Sequence, residues 1–290
     1  MPDFIPWNSQ PLDLWASKHA KGKFIDLEGR STHYIEKGDG EPVVLIHGFF
    51  YDSYMWSGNI DALAEHFKVY AIDLWGGGYS TREPLDYGYQ LYADQVQKFM
   101  DSMDIPRAIL VGQSMGAGTA IKFCVQNRER VNKLMLVGAA GMPNPMPITA
   151  KFFALPGVGE FSLSLKTDSI RRKNLRDVFI HNKEIITQSY FENVTRPQKI
   201  KGSSEAALSI LRRNFLDTLS DEIQQLGQME VPILIVWGRE DRAIPLACGE
   251  KMHRLLEGSR LEIIDGAGHV PQSERSEVFN QLALSFLLDG

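Results

Sequence analysis

Short, unbroken runs of apolar residues alternate along the chain with longer stretches of helical periodicity. Unbroken apolar runs are typical of strands that are buried on both faces of a parallel sheet. Five such runs predict strands at residues 43–46, 69–72, 108–111, 134–137 and 233–236, and a sixth run at 261–264, interrupted by Glu262, predicts another. Two shorter runs, at 25–27 and 32–35, predict a pair of strands joined by a turn.

Helical periodicity fills most of the intervals between these runs. Apolar residues recur on one side of predicted helices at 89–103, 117–126 and 276–288. Strands that alternate with helices indicate βαβ units and a parallel sheet. The predicted fold class is therefore α/β, with a mostly parallel, eight-stranded sheet flanked by helices.

The alternation breaks once, between residues 141 and 220, where no strand-like run occurs. A proline cluster at 142–147 opens this stretch as a linker would, and helical patterns follow. We predict an α/β body from residues 1–140 and 221–290 and a helical cap from 141–220. The cap sequence holds 12 basic and 7 acidic residues, whereas the remainder holds 19 and 29. This basic excess is either a solvated face or a means of attracting anionic substrates.

Composition narrows the class of protein. The 290 residues are 43% hydrophobic and 23% charged, and the net charge of −5 argues against nucleic acid as a main partner. The two cysteines, Cys124 and Cys248, supply neither a disulfide framework nor a metal-ligand cluster. No signal-peptide pattern and no apolar run of about 18 residues occurs. We expect a cytoplasmic monomer or homodimer without a transmembrane segment, in which residues 1–23 pack on the body or contact a second copy.

A candidate nucleophile lies at the end of the strand predicted at 108–111. Residues 112–116, Gly-Gln-Ser-Met-Gly, fit the G-x-S-x-G nucleophile elbow, a sharp strand-to-helix turn that exposes the serine hydroxyl. The start of the next helix also favours negative charge that develops near that hydroxyl. Ser114 is therefore the candidate nucleophile, and a glycine-rich turn with an incidental serine is the alternative.

A serine nucleophile needs a base, and the base needs an orienting acid. Asp241 follows the strand predicted at 233–236, and His269 follows the strand predicted at 261–264. Loops at the C-terminal edge of a parallel sheet converge on the ligand site, so we expect both side chains near Ser114. Glu240 is the alternative acid.

Hydrolysis through a serine also needs two donors for the oxyanion. The backbone N–H of Met115 follows the nucleophile directly, and that of Phe49 lies in the loop after residues 43–46. His47, in the same loop, is better explained as a brace for the loop than as a second base.

Together these segments resemble the signature blocks of the α/β-hydrolase superfamily. The blocks occur in the family's order, and they are His47-Gly48, Asp73 with Gly76, Gly78 and Ser80, the elbow at 112–116, Gly238 with Asp241, and Gly268-His269. The resemblance covers about residues 24–290. It implies the α/β-hydrolase fold with a helical cap insertion and a Ser-His-Asp triad, and it implies no metal or cofactor.

Within that superfamily, the serine excludes the dehalogenases and epoxide hydrolases that use an aspartate at the elbow. C–C bond hydrolases usually carry a longer glycine-rich oxyanion loop and a tryptophan after the histidine, where this chain has Phe49-Phe50 and Val270-Pro271. The resemblance thus implies a carboxylesterase for small apolar esters, acting through an acyl-enzyme. The alternatives are a C–C bond hydrolase of vinylogous diketone acids from ring cleavage and a non-catalytic ligand-binding protein.

Several apolar side chains are candidates for a substrate pocket between body and cap. They are Phe49, Phe50, Trp75, Met142, Phe152 and Phe153. Ordinary core packing is the alternative explanation for each of them.

Overall fold

The computed structural model describes residues 4–145, 148–165 and 167–289. Met146 and Pro147, at the end of the proline cluster, lie outside the described residues. Within the described ranges eight strands form one sheet. Their bounds are β1 Lys23–Leu27, β2 Arg30–Lys37, β3 Glu41–Ile46, β4 Phe67–Ile72, β5 Ala108–Gln113, β6 Val131–Val137, β7 Ile233–Gly238 and β8 Arg260–Ile264.

The strands lie in the order β1-β2-β4-β3-β5-β6-β7-β8. β2 pairs antiparallel with both β1 and β4, whereas every pairing from β4 to β8 is parallel. The C-terminal ends of β3, β5, β6, β7 and β8 therefore share one edge of the sheet, where open α/β sheets bind ligands. The predicted α/β class and mostly parallel sheet are confirmed.

Helices cover both faces of the sheet and fill the long connection between β6 and β7. Their bounds are α1 Leu12–His19, α2 Ile60–Leu63, α3 Tyr89–Ser102, α4 Met115–Gln126, α5 Ile148–Phe153, α6 Val158–Ser164, α7 Ser169–Asn174, α8 Gln188–Thr195, α9 Ser203–Arg213, α10 Ser220–Leu226, α11 Leu246–Leu255, α12 Pro271–Glu274 and α13 Ser276–Leu288. In the described ranges, none of the helices combines the length and the apolar character needed to cross a membrane.

The core lies on both faces of the sheet because successive strand residues point to opposite sides. In β3, Val44 and Ile46 belong to an apolar cluster that contains Phe99 of α3. Val43 and Leu45 belong to a second cluster that includes residues of α2 and α13. All four β3 side chains are fully buried. An unbroken apolar run is thus what a strand needs when helices cover both of its faces.

Between β6 and β7 the described residues form helices, with no strand of the main sheet among them. We call residues 141–220 the helical segment. The N-terminal arm, defined as residues 4–19, packs against it: Ser9 and Gln10 donate backbone hydrogen bonds to the Lys199 carbonyl, and the Trp15 indole donates to the Arg196 carbonyl. The arm therefore packs on its own chain, against the helical segment.

Candidate active site

The elbow forms where β5 gives way to α4. β5 ends at Gln113 and α4 begins at Met115, so Ser114 makes the turn and adopts a φ of 52°. A positive φ is uncommon for a residue with a side chain and marks local strain. Gly116 permits close packing beneath the turn, because a Cβ there would lie 2.2 Å from the carbonyl oxygen of Ile46 in β3. The geometry is that of a nucleophile elbow.

Asp241 and His269 meet in the loops that follow β7 and β8. His269 Nδ1 lies 2.8 Å from Asp241 Oδ2, and both side chains are buried. The other carboxylate oxygen accepts the N–H groups of Ala243 and Ile244 at 2.8 and 2.9 Å. A carboxylate can only accept, so His269 Nδ1 carries the proton and Nε2 is left free to take one.

Glu240, the alternative acid, has a different partner. Its carboxylate accepts the N–H of Ala267 at 3.1 Å. The residue that packs against the Asp241–His269 pair is Gly138, which follows β6. A Cβ at Gly138 would be 3.3 Å from His269 Nδ1 and 3.5 Å from Asp241 Oδ2. The geometry favours Asp241 as the acid that orients His269.

Ser114 and His269 line one cavity of about 440 Å³. In the described part of the chain no hydrogen bond joins their side chains, and such pairs often tighten only when substrate binds. The polar residues on the cavity wall beyond this pair are Asn144, Asn174, Asn214, Asp217 and Arg242. The rest of the wall is mainly apolar, which suits a small organic substrate.

The two predicted oxyanion donors flank this cavity. Phe49 lines it from the loop after β3, and Met115 is the first residue of α4. Among the described residues, neither backbone N–H donates a hydrogen bond. Both are therefore available to a negatively charged oxygen next to Ser114.

His47 is fixed within the loop after β3. Its Nε2 accepts the Leu74 N–H at 2.9 Å, and its Nδ1 donates to the Gly48 carbonyl at 2.8 Å. Burial lowers the pKa of this imidazole, which keeps it neutral. His47 thus holds the loop, as its structural interpretation predicts.

A buried group of polar side chains supports that loop from behind. The Asp73 carboxylate accepts the N–H groups of Ser53 and Tyr79 and lies 2.7 Å from His33 Nδ1. Burial opposes its charge, but His33 holds the pKa of Asp73 well below its usual range. Burial and then the Asp73 charge raise the pKa of Asp52 to about 8. One carboxylate of this group is thus ionised and the other protonated near neutral pH.

Five residues besides Phe49 were predicted to line the pocket. Three of them, Phe50, Met142 and Phe153, line the cavity together with Ser114. Two do not, and the prediction for them is wrong. Trp75 is 1% exposed beneath the loop after β4, where its indole N–H donates to Thr32 Oγ1. Phe152 is 61% exposed on the outer side of α5.

The structure also places residues at the site that the sequence did not single out. Gln113 donates from Nε2 to the His269 carbonyl at 2.7 Å, and the Phe179 carbonyl accepts the His269 N–H at 2.7 Å. Buried Glu274 accepts the Gly268 N–H. Gln113 adjoins Ser114 in the elbow motif, which was a usable signal, but nothing in the sequence indicated Phe179.

Within the described ranges, no group of three or more His, Cys, Asp or Glu side chains is arranged to hold a metal ion. Cys124 is buried and Cys248 is half-buried, and both are free thiols.

Comparison with known proteins agrees with this fold. A family model described as the alpha/beta hydrolase fold matches residues 41–276. The 2-hydroxy-6-oxo-6-phenylhexa-2,4-dienoate hydrolase of Comamonas testosteroni is 31% identical over 93% of this chain and 96% of its own. The 2-hydroxy-6-oxo-2,4-heptadienoate hydrolase of Pseudomonas putida is 26% identical over 92% and 96%.

Solved structures give the same result. The meta-cleavage product hydrolase of Pseudomonas fluorescens IP01 superimposes with a TM-score of 0.80, at 28% identity, over 92% of this chain and 98% of the other. The chain belongs to the α/β-hydrolase fold family and is a hydrolase.

Proposed function

We propose that the protein hydrolyses a carbon–carbon bond in a 2-hydroxy-6-oxo-dienoate acid, and not a carboxylic ester as the sequence implied. The observation that carries the proposal is similarity along almost the whole chain to hydrolases named for such acids. The cavity supports it, because its wall is mainly apolar and carries the Arg242 guanidinium, which can pair with a carboxylate; the Asp217 carboxylate lies on the same wall. Among the described lining residues Arg242 is the one cation.

In this proposal Ser114 Oγ attacks the ketone carbon at position 6 while His269 Nε2 takes the hydroxyl proton. Asp241 holds the imidazole in the required tautomer and stabilises its cation. The N–H groups of Phe49 and Met115 bind the oxyanion. These residues would carry the same roles in ester cleavage, so the triad alone does not distinguish the two reactions.

The carbon–carbon bond then breaks between carbons 5 and 6. Before the attack the proton of the 2-hydroxyl group has moved to carbon 5, which gives the 2-oxo tautomer, so the electron pair of the broken bond is delocalised onto the 2-oxo oxygen. That oxygen takes the proton that His269 accepted. Carbon 6 remains on Ser114 as an acyl ester, which water cleaves with His269 as the base. One water is consumed, and the products are a hydroxydienoic acid and a carboxylic acid.

Steady-state kinetics on two substrates test the assignment. We expect a kcat/KM for 2-hydroxy-6-oxo-6-phenylhexa-2,4-dienoate that exceeds the value for p-nitrophenyl acetate by about a hundredfold or more, or about 3 kcal/mol of transition-state stabilisation. Ser114→Ala should lower both by about a thousandfold or more while leaving thermal unfolding unchanged. A higher kcat/KM on the ester would contradict the proposal.

Ester hydrolysis is the second candidate. The observation that favours it is local: Val270 and Pro271, both buried, follow His269 where C–C bond hydrolases usually carry a tryptophan. Labelling with a fluorophosphonate probe distinguishes both hydrolase hypotheses from the alternative of a non-catalytic binding protein. We expect it to label Ser114 in the wild type and to leave Ser114→Ala unlabelled.

A further inference from the structure

Four large apolar side chains of α5, α6 and the turn between them face solvent. They are Ile148 and Phe152 of α5, Leu155 just after it, and Phe161 of α6, with exposed fractions of 85%, 61%, 48% and 67%. We call these four residues the apolar face. Single exposed apolar residues are common, but a group of this kind marks an interaction surface.

The spacing of three of them places them on one side of a helical turn. Ile148, Phe152 and Leu155 are separated by four and three residues, and the Leu155 N–H bonds to the Phe152 carbonyl, which continues the turn beyond α5. The other side of α5 faces inwards, because Ala150 and Phe153 line the cavity that holds Ser114. α5 therefore separates the substrate cavity from the apolar face.

Among the described residues, Lys151, Glu160 and Arg212 are the charged groups on and against α5 and α6, and they leave a single positive charge. Lys151 is exposed on α5, and the Arg212 guanidinium donates to the Ala154 and Leu155 carbonyls and pairs with Glu160. The helical segment as a whole carries 12 basic and 7 acidic residues, against 19 and 29 in the remainder. The apolar face thus belongs to a segment of net charge +5, on a chain whose other residues sum to −10.

This distribution of charge distinguishes between two possible occupants of the apolar face, a second copy of the chain and a lipid surface. A second copy docked face to face would place one positive segment against another, which is repulsive. An anionic lipid surface attracts basic residues and accepts phenylalanine and leucine at its acyl boundary. We propose that the apolar face docks on an anionic lipid surface, which would bring α5 and the cavity behind it to that surface.

Vesicle flotation of the full-length protein tests this. The vesicles are phosphatidylcholine alone or phosphatidylcholine with a quarter phosphatidylglycerol. We expect binding to the anionic vesicles to exceed binding to the neutral ones by about tenfold, and to weaken at high salt. The proposal does not depend on which bond the enzyme cleaves, so Ser114→Ala should bind equally well.

Variants locate the binding surface. Phe152→Ser combined with Phe161→Ser should reduce the affinity for anionic vesicles by about tenfold or more, since each phenylalanine loses its burial in lipid. Val278→Ser with Leu288→Ser is the matched control, because both side chains are comparably exposed on α13. That control should bind like the wild type, and Lys151→Glu should weaken binding to anionic vesicles alone.

Three results would overturn the proposal. They are no flotation of the wild type with either vesicle, equal flotation of the wild type and the phenylalanine variant, and a homodimer in sedimentation that only the phenylalanine variant disrupts. The last result would assign the face to a second copy. Thermal unfolding of each variant shows whether the fold is retained.

Discussion

At the scale of single residues, the elbow depends on glycine as much as on serine. A Cβ at Gly116 would lie 2.2 Å from the Ile46 carbonyl oxygen, a backbone atom that cannot move aside cheaply. Gly116→Ala should therefore lower the free energy of unfolding by about 2 kcal/mol and reduce kcat, because the turn that presents Ser114 must shift. Urea unfolding and steady-state kinetics measure both effects.

Gly88→Ala is the control for that substitution. A Cβ at Gly88 would meet nothing closer than 3.9 Å, and its φ is near 180°, which any residue adopts. The control should keep the wild-type kcat. Equal losses in both variants would show that the elbow has no special requirement for a bare backbone.

Substitution of Arg242 tests whether this side chain binds the carboxylate of the proposed substrate. Its side chain lines the cavity and is exposed, and within the described ranges it makes no ion pair. Arg242→Met should raise KM for the dienoate acid by about tenfold, since a carboxylate loses its charged partner. Kinetics on a neutral ester should change little. A similar rise in KM for both substrates would remove Arg242 from carboxylate binding.

Asp52 gives a pH-dependent prediction with a defined sign. Its pKa is about 8 in the folded protein, whereas an unfolded aspartate has a pKa of about 3.9. Between these values the folded state holds a proton that the unfolded state has released. Stability therefore falls as pH rises through this window.

Asp52→Asn should remove that fall, because the amide mimics the protonated acid and its oxygen can still accept the Tyr54 N–H. From pH 6 to pH 9, the free energy of unfolding of the wild type should drop by about 2 to 3 kcal/mol more than that of the variant. Urea unfolding at both pH values measures the difference. Parallel curves would mean that Asp52 is already ionised at pH 6.

At the scale of elements, one carboxylate links the loop of His269 to the helical segment. Glu274, in α12, accepts the Gly268 N–H with one oxygen and the His181 and Asn182 N–H groups with the other. It does so although burial raises its pKa. A glutamine would set an amide N–H against a backbone N–H at one of these positions.

Glu274→Gln should accordingly lower the free energy of unfolding by about 1 to 3 kcal/mol and reduce kcat, while the exposed Glu277→Gln should do neither. Urea unfolding and kinetics on the dienoate acid provide the two readouts. Wild-type kcat in Glu274→Gln would show that the link serves stability alone.

The elements were largely predictable because two-sided burial leaves a clear signal. The apolar runs at 43–46 and 233–236 fall inside β3 and β7, each of which extends only two residues further. The candidate triad rests on the same signal, since each of its members follows a predicted strand and a parallel sheet brings the ends of its strands to one edge. Such a pattern is visible in the sequence of one element, without knowledge of the element that packs against it.

The pocket could not be predicted in the same way. Phe152 and Phe153 are adjacent and chemically identical, yet one faces solvent and the other faces the cavity. Which side of a short helix faces inwards depends on tertiary packing, and a six-residue helix gives too few turns to show it. Glu274 was equally hidden, because its partners in the helical segment lie more than 90 residues away.

At the scale of the whole molecule, the division of charge should affect substrate capture. A positive segment above a negative body focuses anions near the cavity, and salt screens this attraction. From 50 to about 500 mM NaCl, kcat/KM for the dienoate acid should fall several-fold, whereas the value for a neutral ester should change less than about twofold. An equal effect of salt on both substrates would indicate that the basic residues face solvent and do not attract the substrate.

The N-terminal arm has a consequence for synthesis of the chain. Its contacts join residues that are far apart, since Trp15 bonds to Arg196 and Asn8 bonds to Glu205, 181 and 197 positions later. A ribosome adds about 5 to 20 residues per second, so the arm waits about 10 to 40 s before its partners have been made. During that interval Trp7 and Trp15 lack their partners in the helical segment, so the arm completes its folding late and is exposed to chaperones in the meantime.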